Sequence, residues 1–418
     1  MTRILQLKHV FLMLIFVSSQ LTVGGQSRSH LPYSIFGIGT LASKGLGRNL
    51  AMGKTGIALA SDRYLNNLNP AANFLIDSIS FFFDVGMNGT LVNYRTATVE
   101  QSGKDLNMNN LAIGFRITPF YSASIGITPY SSVGYKIYSD NYVEGSTDKY
   151  FIDLSGSGGL NQFYLDNSFR IFRNISLGVN VSYLFGNIQT TERNVYPKIY
   201  SEIFYKKTSY FNKFFVDFGF QYRIPVNEKI NVTIGGIFGN QHKLNFKEEI
   251  SITDSDGNEI ESELSKTGTF NIPYHYGGGI SFNYNNQLTL TGDYIFHNWD
   301  ETLSENPYYR YRNTSTFRFG TEYIPGGDRI TSFLGMISYR AGFYLEQSYL
   351  EVEKNRTLDK GITLGAGFPF LRNRSTINIA FMTGKAGTIE NGMIEETYYR
   401  LFLSFEMHDW WFLRPQYE

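Results

Sequence analysis

The residues of this chain that could do chemistry are charged side chains set singly along alternating apolar segments. Arg116, Asp293, Arg318, Glu322, Arg340, Arg400 and Glu406 each fall on the polar face of a segment whose other face is apolar. Isolated charges of both signs in such positions suit ion pairing inside an enclosed space, or a polar path for a ligand head group. Catalytic and metal groupings are absent. Besides His9, the histidines are His30, His242, His275, His297 and His408, with no His-x-x-x-His pair and no Glu at ligand spacing. There is no Gly-x-Ser-x-Gly elbow and no Gly-x-x-x-x-Gly-Lys loop. The run from Asp254 to Glu259 hints at calcium. Its glycine stands fourth rather than sixth, and Ser265 takes the twelfth place where a bidentate Glu is needed, so it reads as a turn at a loop tip. The expectation is no enzyme, no metal and no cofactor.

The elements that position these residues alternate with period two. Over 287–296, Leu288, Leu290, Gly292, Tyr294 and Phe296 oppose Gln287, Thr289, Thr291, Asp293 and Ile295. Over 175–185, Ile175, Leu177, Val179, Val181, Tyr183 and Phe185 oppose Ser176, Gly178, Asn180 and Ser182. Fourteen such segments are predicted, near 78–92, 107–117, 122–137, 158–171, 175–189, 208–224, 230–245, 263–282, 287–296, 312–324, 331–345, 360–368, 375–385 and 396–408. Their connections alternate in length. Those at 118–121, 172–174, 225–229, 283–286, 325–329 and 369–374 are tight. Those at 93–106, 138–157, 190–207, 246–262, 297–311, 346–359 and 386–395 are long and polar. Short turns at one end and long loops at the other are the pattern of an antiparallel transmembrane β-barrel, with short turns in the periplasm and long loops outside. A soluble pair of packed sheets would also have one apolar face per strand but has no reason to sort its loops by length.

Composition agrees. Tyr (30), Phe (35) and Gly (41) are abundant, while mean hydropathy is only -0.22. A barrel needs lipid-facing residues only at alternate positions. Charges balance at 37 Lys and Arg against 37 Asp and Glu, which gives no basic field for nucleic acid. No cysteine is present, which excludes disulfides, thiolate metal sites and a lipid anchor on cysteine. At the start, Arg3 and Lys8 precede an apolar run at 10–17, followed by Gly24 and Gly25, which reads as a secretory signal peptide over 1–25. The expected division is therefore a signal peptide at 1–25, an N-terminal plug at 26–76, a barrel at 77–412 and a short tail at 413–418. The expected location is the outer membrane of a Gram-negative bacterium, with membrane lipid around the barrel. The chain ends past an aromatic stretch, Trp410, Trp411 and Phe412, whereas such barrels usually finish on the aromatic residue itself.

Residues 31–76 are rich in glycine and small residues and lack alternation. Gly45-Leu46-Gly47-Arg48, then Ala51, Gly53, Ala58 and Ala60, then Asn69-Pro70-Ala71 are similar to the opening of the outer-membrane long-chain fatty-acid transporters, the FadL/TodX-like or OMPP1 family. The likeness continues through Ile125-Gly126-Ile127-Thr128-Pro129-Tyr130, Val133-Gly134-Tyr135, Gly158-Gly159-Leu160-Asn161 and Leu177-Gly178-Val179. Past residue 190 it is one of strand number alone. The resemblance implies a hatch folded inside a fourteen-stranded barrel, with Gly45, Gly47, Arg48, Gly53, Asn69, Pro70 and Ala71 as its motif. It implies uptake of hydrophobic, fatty-acid-like molecules, which leave sideways where the third strand is distorted. Pro129 and Gly134 are the residues placed to distort it, since proline removes a ladder donor. Some barrels of this resemblance are instead docking subunits of envelope protein complexes, as in type IX secretion or outer-membrane assembly, and that alternative stands beside transport.

Overall fold

Alternation of aromatic and β-branched residues with small polar ones favours extended backbone, and the chain builds a single sheet from it. The computed structural model describes residues 32–76, 80–197, 201–262, 265–302, 308–327, 332–370 and 375–410. The expected signal peptide, the tail and the aromatic pair Trp411 and Phe412 lie outside these.

Fourteen antiparallel strands close on themselves. They are β1 (Ser80–Arg95), β2 (Glu100–Thr118), β3 (Tyr121–Tyr142), β4 (Lys149–Phe172), β5 (Ile175–Tyr196) and β6 (Ser201–Pro225). β7 runs in two pieces, Ile230–Gly239 and His242–Asp254. β8 runs in three, Glu259–Ser262, Lys266–Ile272 and His275–Tyr284. Pro273, which has no N–H to give, interrupts it. β9 (Leu288–His297) is followed by β10 (Tyr309–Tyr311 and Thr314–Tyr323), β11 (Ser338–Val352), β12 (Asn355–Phe370), β13 (Ser375–Ala386) and β14 (Glu395–Trp410). β14 pairs with β1 from Glu395↔Arg95 to Trp410↔Ser80, which closes the barrel.

The barrel is apolar outside and polar inside. On β9, Thr289, Thr291 and Asp293 are buried, while outward positions on this and other parts of the sheet are open: Ile280 is 56% exposed, Phe317 52% and Leu401 54%. An apolar band of this extent in water would drive aggregation, whereas lipid is its natural solvent.

Two expectations need correction. The connections predicted as long loops are mostly sheet: pairing persists out to Arg95↔Glu100, Tyr142↔Lys149, Tyr196↔Ser201 and Val352↔Asn355. Beyond the lipid-facing band both faces are wetted, so alternation fades while the hydrogen-bond ladder continues. The strand expected at 331–345 begins instead at Ser338, after a helical turn over Phe333–Met336.

Candidate functional site

Residues 32–76 contact the inward side chains of strands all round the barrel. Asn69 makes the Asn-Pro-Ala turn: its Oδ1 accepts from the Ala71 N–H at 2.9 Å, and its Nδ2 donates to the carbonyls of Ile57 (2.8 Å), Phe220 (3.1 Å) and Gly236 (3.3 Å). Ser168 on β4 and Ser176 on β5 both donate to the Ala71 carbonyl, at 3.1 and 2.9 Å. The wall gives way at this turn. A methyl added at Gly178 would overlap the backbone of Pro70 and Ala71, and one at Gly219 would overlap Asn69 and Pro70. The sequence did not single out these wall glycines as packing positions; the signal available was a glycine on the inward face of a strand.

Of the charged residues named from sequence, Glu322 forms an ion pair with this segment, Asp293, Glu406, Arg116 and Arg318 hydrogen-bond to its backbone, and Arg340 and Arg400 pair with carboxylates of the wall. Arg48 gives Nε and Nη2 to Glu322, at 3.1 and 2.6 Å, and Arg340 gives Nε to the same carboxylate at 2.7 Å. Lys54 pairs with Glu346 at 3.1 Å, Arg318 pairs with Glu346 at 2.8 Å, and the Lys54 ammonium lies 3.7 Å from the centre of the Tyr344 ring. Asp293 accepts from the N–H groups of Gly56 (2.6 Å) and Ile57 (3.1 Å), and Glu406 from that of Leu65 (3.2 Å). Arg116 donates to the carbonyls of Thr118 and Ile76 near the tight-turn end. Arg400 lies over the Tyr398 ring and 4.0 Å from Glu396. Buried charges need such partners, since leaving one unpaired costs several kcal/mol. Gly53, with φ +66°, donates to Thr363 Oγ1 at 2.9 Å, and a methyl there would strike the backbone of Phe319 and Phe343. Gly47 packs as closely, against Ser404, and Gly45 offers its carbonyl to Asn109.

The wall has a seam between β2 and β3. Their ladder runs from Thr118↔Tyr121 to Leu111↔Ile127 and, among the described residues, stops there. The register of β3 against β4 shifts between Pro129 and Ser131. The N-terminal segment takes the freed edge: Thr40 and Leu41 pair with Ser132 and Ser131, and the Ala42 N–H donates to the Tyr130 carbonyl at 2.9 Å. On the other edge, Asn109 Nδ2 of β2 reaches the Gly45 carbonyl at 3.3 Å. Ser34 accepts from the Gly134 N–H at 3.2 Å. Residues 40–45 thus span the seam from one strand to the other.

On the long-hairpin side of this segment lies a cavity of about 330 Å³, within the range of small-molecule sites. Its lining mixes apolar residues (Leu68, Phe215, Ile237, Ile295) with polar ones (Lys44, Asp217, His275, His297). Among the described residues no group of three or more His, Cys, Asp or Glu is placed to hold a metal ion. At the tip of β7, Asp254 Oδ1 accepts from the N–H groups of Asp256 (2.9 Å) and Asn258 (2.8 Å), so this carboxylate closes a turn.

Comparison with known proteins places the chain. The BamG family model matches residues 6–418. The chain belongs to the BamG family. No curated protein sequence matches it. Among solved structures, this BamG-family barrel is similar to the toluene transporter TbuX of Ralstonia pickettii, with 15% identity, 87% of this chain and 97% of that one covered, and a TM-score of 0.53. It is also similar to a FadL homologue of Pseudomonas aeruginosa, with 13% identity, coverage of 89% and 99%, and a TM-score of 0.60. The toluene transporter TodX of P. putida gives 14%, 88% and 99%, and 0.56. At these identities the likeness is one of fold: a fourteen-stranded outer-membrane barrel of the FadL kind.

Proposed function

We propose that this barrel admits small, largely apolar molecules from outside the cell into the cavity, above a hatch formed by residues 32–76, and releases them sideways at the β2–β3 seam. The single observation that carries this reading is the cavity itself, walled by the barrel, floored by the N-terminal segment and adjoining the seam. The ionic contacts of Arg48 and Lys54 support a floor that stays in place, so the way out is lateral rather than straight through. The step needs no energy source within the chain, because partition from a water-exposed cavity into lipid is downhill for an apolar molecule.

A second reading is favoured by family membership. A BamG-family barrel could serve as a non-transporting subunit of an envelope protein complex, with the fixed N-terminal segment as internal bracing. Native mass spectrometry of the barrel, gently extracted from its own membrane, separates the two. A small molecule retained at defined stoichiometry supports uptake. A stoichiometric protein partner with an empty cavity rejects uptake in favour of the complex.

A further inference from the structure

Five strands place one residue each on a single register row of the cavity wall. Asp217 of β6 is the partner of Gly239 on β7, Gly239 of His275 on β8, His275 of His297 on β9, and His297 of Thr314 on β10. Asp217, His275, His297 and Thr314 all line the cavity. Because residue 239 has no side chain, the Asp217 carboxylate and the His275 ring converge over it, and a methyl there would overlap both. The two imidazoles stack with centroids 5.2 Å apart, and Thr314 Oγ1 lies 3.3 Å from His297 Nδ1. The result is a band of hydrogen-bonding side chains across the wall.

Unpartnered polar atoms flank this band. Trp299 lines the cavity, is 1% exposed, and its indole N–H has no partner; His242 Nε2 is likewise buried without one. Native proteins seldom leave such atoms unsatisfied, and a bound molecule is one remedy. Two residues along the strands towards the N-terminal segment, the next inward row is apolar from β7 to β9, where Ile237 and Ile295 flank Gly277, against which Ile57 packs, and ends on Thr316 of β10. The wall is therefore banded, with an apolar floor below a polar row.

We infer that this cavity takes small molecules with an apolar body and a neutral hydroxyl head, phenols and alcohols, in preference to bare hydrocarbons or carboxylates. A hydroxyl donates and accepts at once, which matches a row holding a carboxylate, two imidazoles and a hydroxyl. A hydrocarbon would cover Asp217 and the histidines and leave them without water, a cost the hydroxyl avoids. A charged head of either sign would meet one opposite and one like charge, Lys44 and Asp217, and would give up its hydration for no net pairing.

The inference rests on the uptake reading, and one titration series tests both. The full barrel in detergent is titrated calorimetrically with p-cresol, p-xylene and p-toluate, which share a ring and differ in one substituent. We expect p-cresol to bind about tenfold more tightly than either. In His275→Phe the preference over p-xylene should collapse while p-xylene still binds. Asp217→Asn, which keeps the shape, should weaken p-cresol selectively. Equal or tighter binding of p-xylene or p-toluate overturns the hydroxyl inference and leaves uptake standing, as does a preference untouched by both variants. Binding of none of the three overturns the uptake reading, and the inference with it.

Discussion

Arg48 and Glu322 are joined by two hydrogen bonds, at 2.6 and 3.1 Å, across a sequence separation of 274 residues. Glu322 also receives Arg340, so two guanidinium groups share one carboxylate in a nearly dry site. Glu322→Ala would leave both cations without their counter-ion. The expected loss is about 3 kcal/mol of barrel stability, read as a lower melting temperature by gel mobility of heated and unheated protein. Arg48→Met removes one cation and its contact but leaves the Arg340 pair, so its loss should be smaller. Equal melting of wild type and Glu322→Ala would mean that this ion pair does not hold the N-terminal segment.

The wall glycines give a second prediction. Gly178 and Gly219 face Asn69-Pro70-Ala71 with no room for a methyl, whereas Gly236 meets nothing nearer than a carbonyl oxygen at 3.9 Å. Gly178→Val should push the turn off β5, destabilise the barrel by about 1–3 kcal/mol and make residues near 69–76 open to protease. Gly236→Ala should do neither. A Gly178→Val barrel as resistant to protease as wild type would contradict the packing described.

How far the sequence could be read follows from what period two can carry. The faces of β5 and β9 were legible because lipid on one side and the lumen on the other separate Leu177 from Ser176 and Leu290 from Thr291. The upper reaches of β4 and β5 were not, because water on both sides removes the contrast while Phe151 and Val195 still pair. Arg48, Glu322 and Arg340 could each be singled out, but their meeting depends on where a non-periodic segment lies in the lumen, which no local pattern encodes. The row through Asp217, His275 and His297 was invisible for a related reason. Each residue is ordinary in its own strand, and only the register of five strands aligns them.

Outside the lipid-facing band, the turn after β7 makes a pH prediction. Asp254 is held below the usual aspartate range, first by the Asn258 side chain and then by backbone N–H groups of the turn. A lowered folded pKa means the carboxylate stabilises this turn above its unfolded pKa, near 4, and stops doing so as pH falls through the folded value. Protection of the Asp256 and Asn258 amides, taken relative to their intrinsic exchange rates, should therefore fall on acidification below about pH 4. Asp254→Asn should show faster exchange at neutral pH and little further change. Added calcium should leave both rates alone; slowing by calcium would restore a metal reading of this loop.

The seam provides the sharpest test of sideways release. Thr40 and Ser132 are antiparallel partners, a relation that puts Cα atoms about 4.5–5.5 Å apart, within disulfide reach. The chain has no cysteine of its own, so Thr40→Cys with Ser132→Cys gives a single pair that oxidant closes and reductant opens. If molecules leave between β2 and β3, the segment at 40–45 must move aside, because it is hydrogen-bonded to Tyr130 on one edge and Asn109 on the other. The oxidised barrel should then bind its ligand with unchanged affinity but fail to pass it into the lipid of a vesicle, and reduction should restore passage. Passage at the same rate in both states would place the exit elsewhere. Loss of binding on oxidation would show instead that the cavity changes shape when the seam is held, since Lys44 within the tethered stretch lines that cavity.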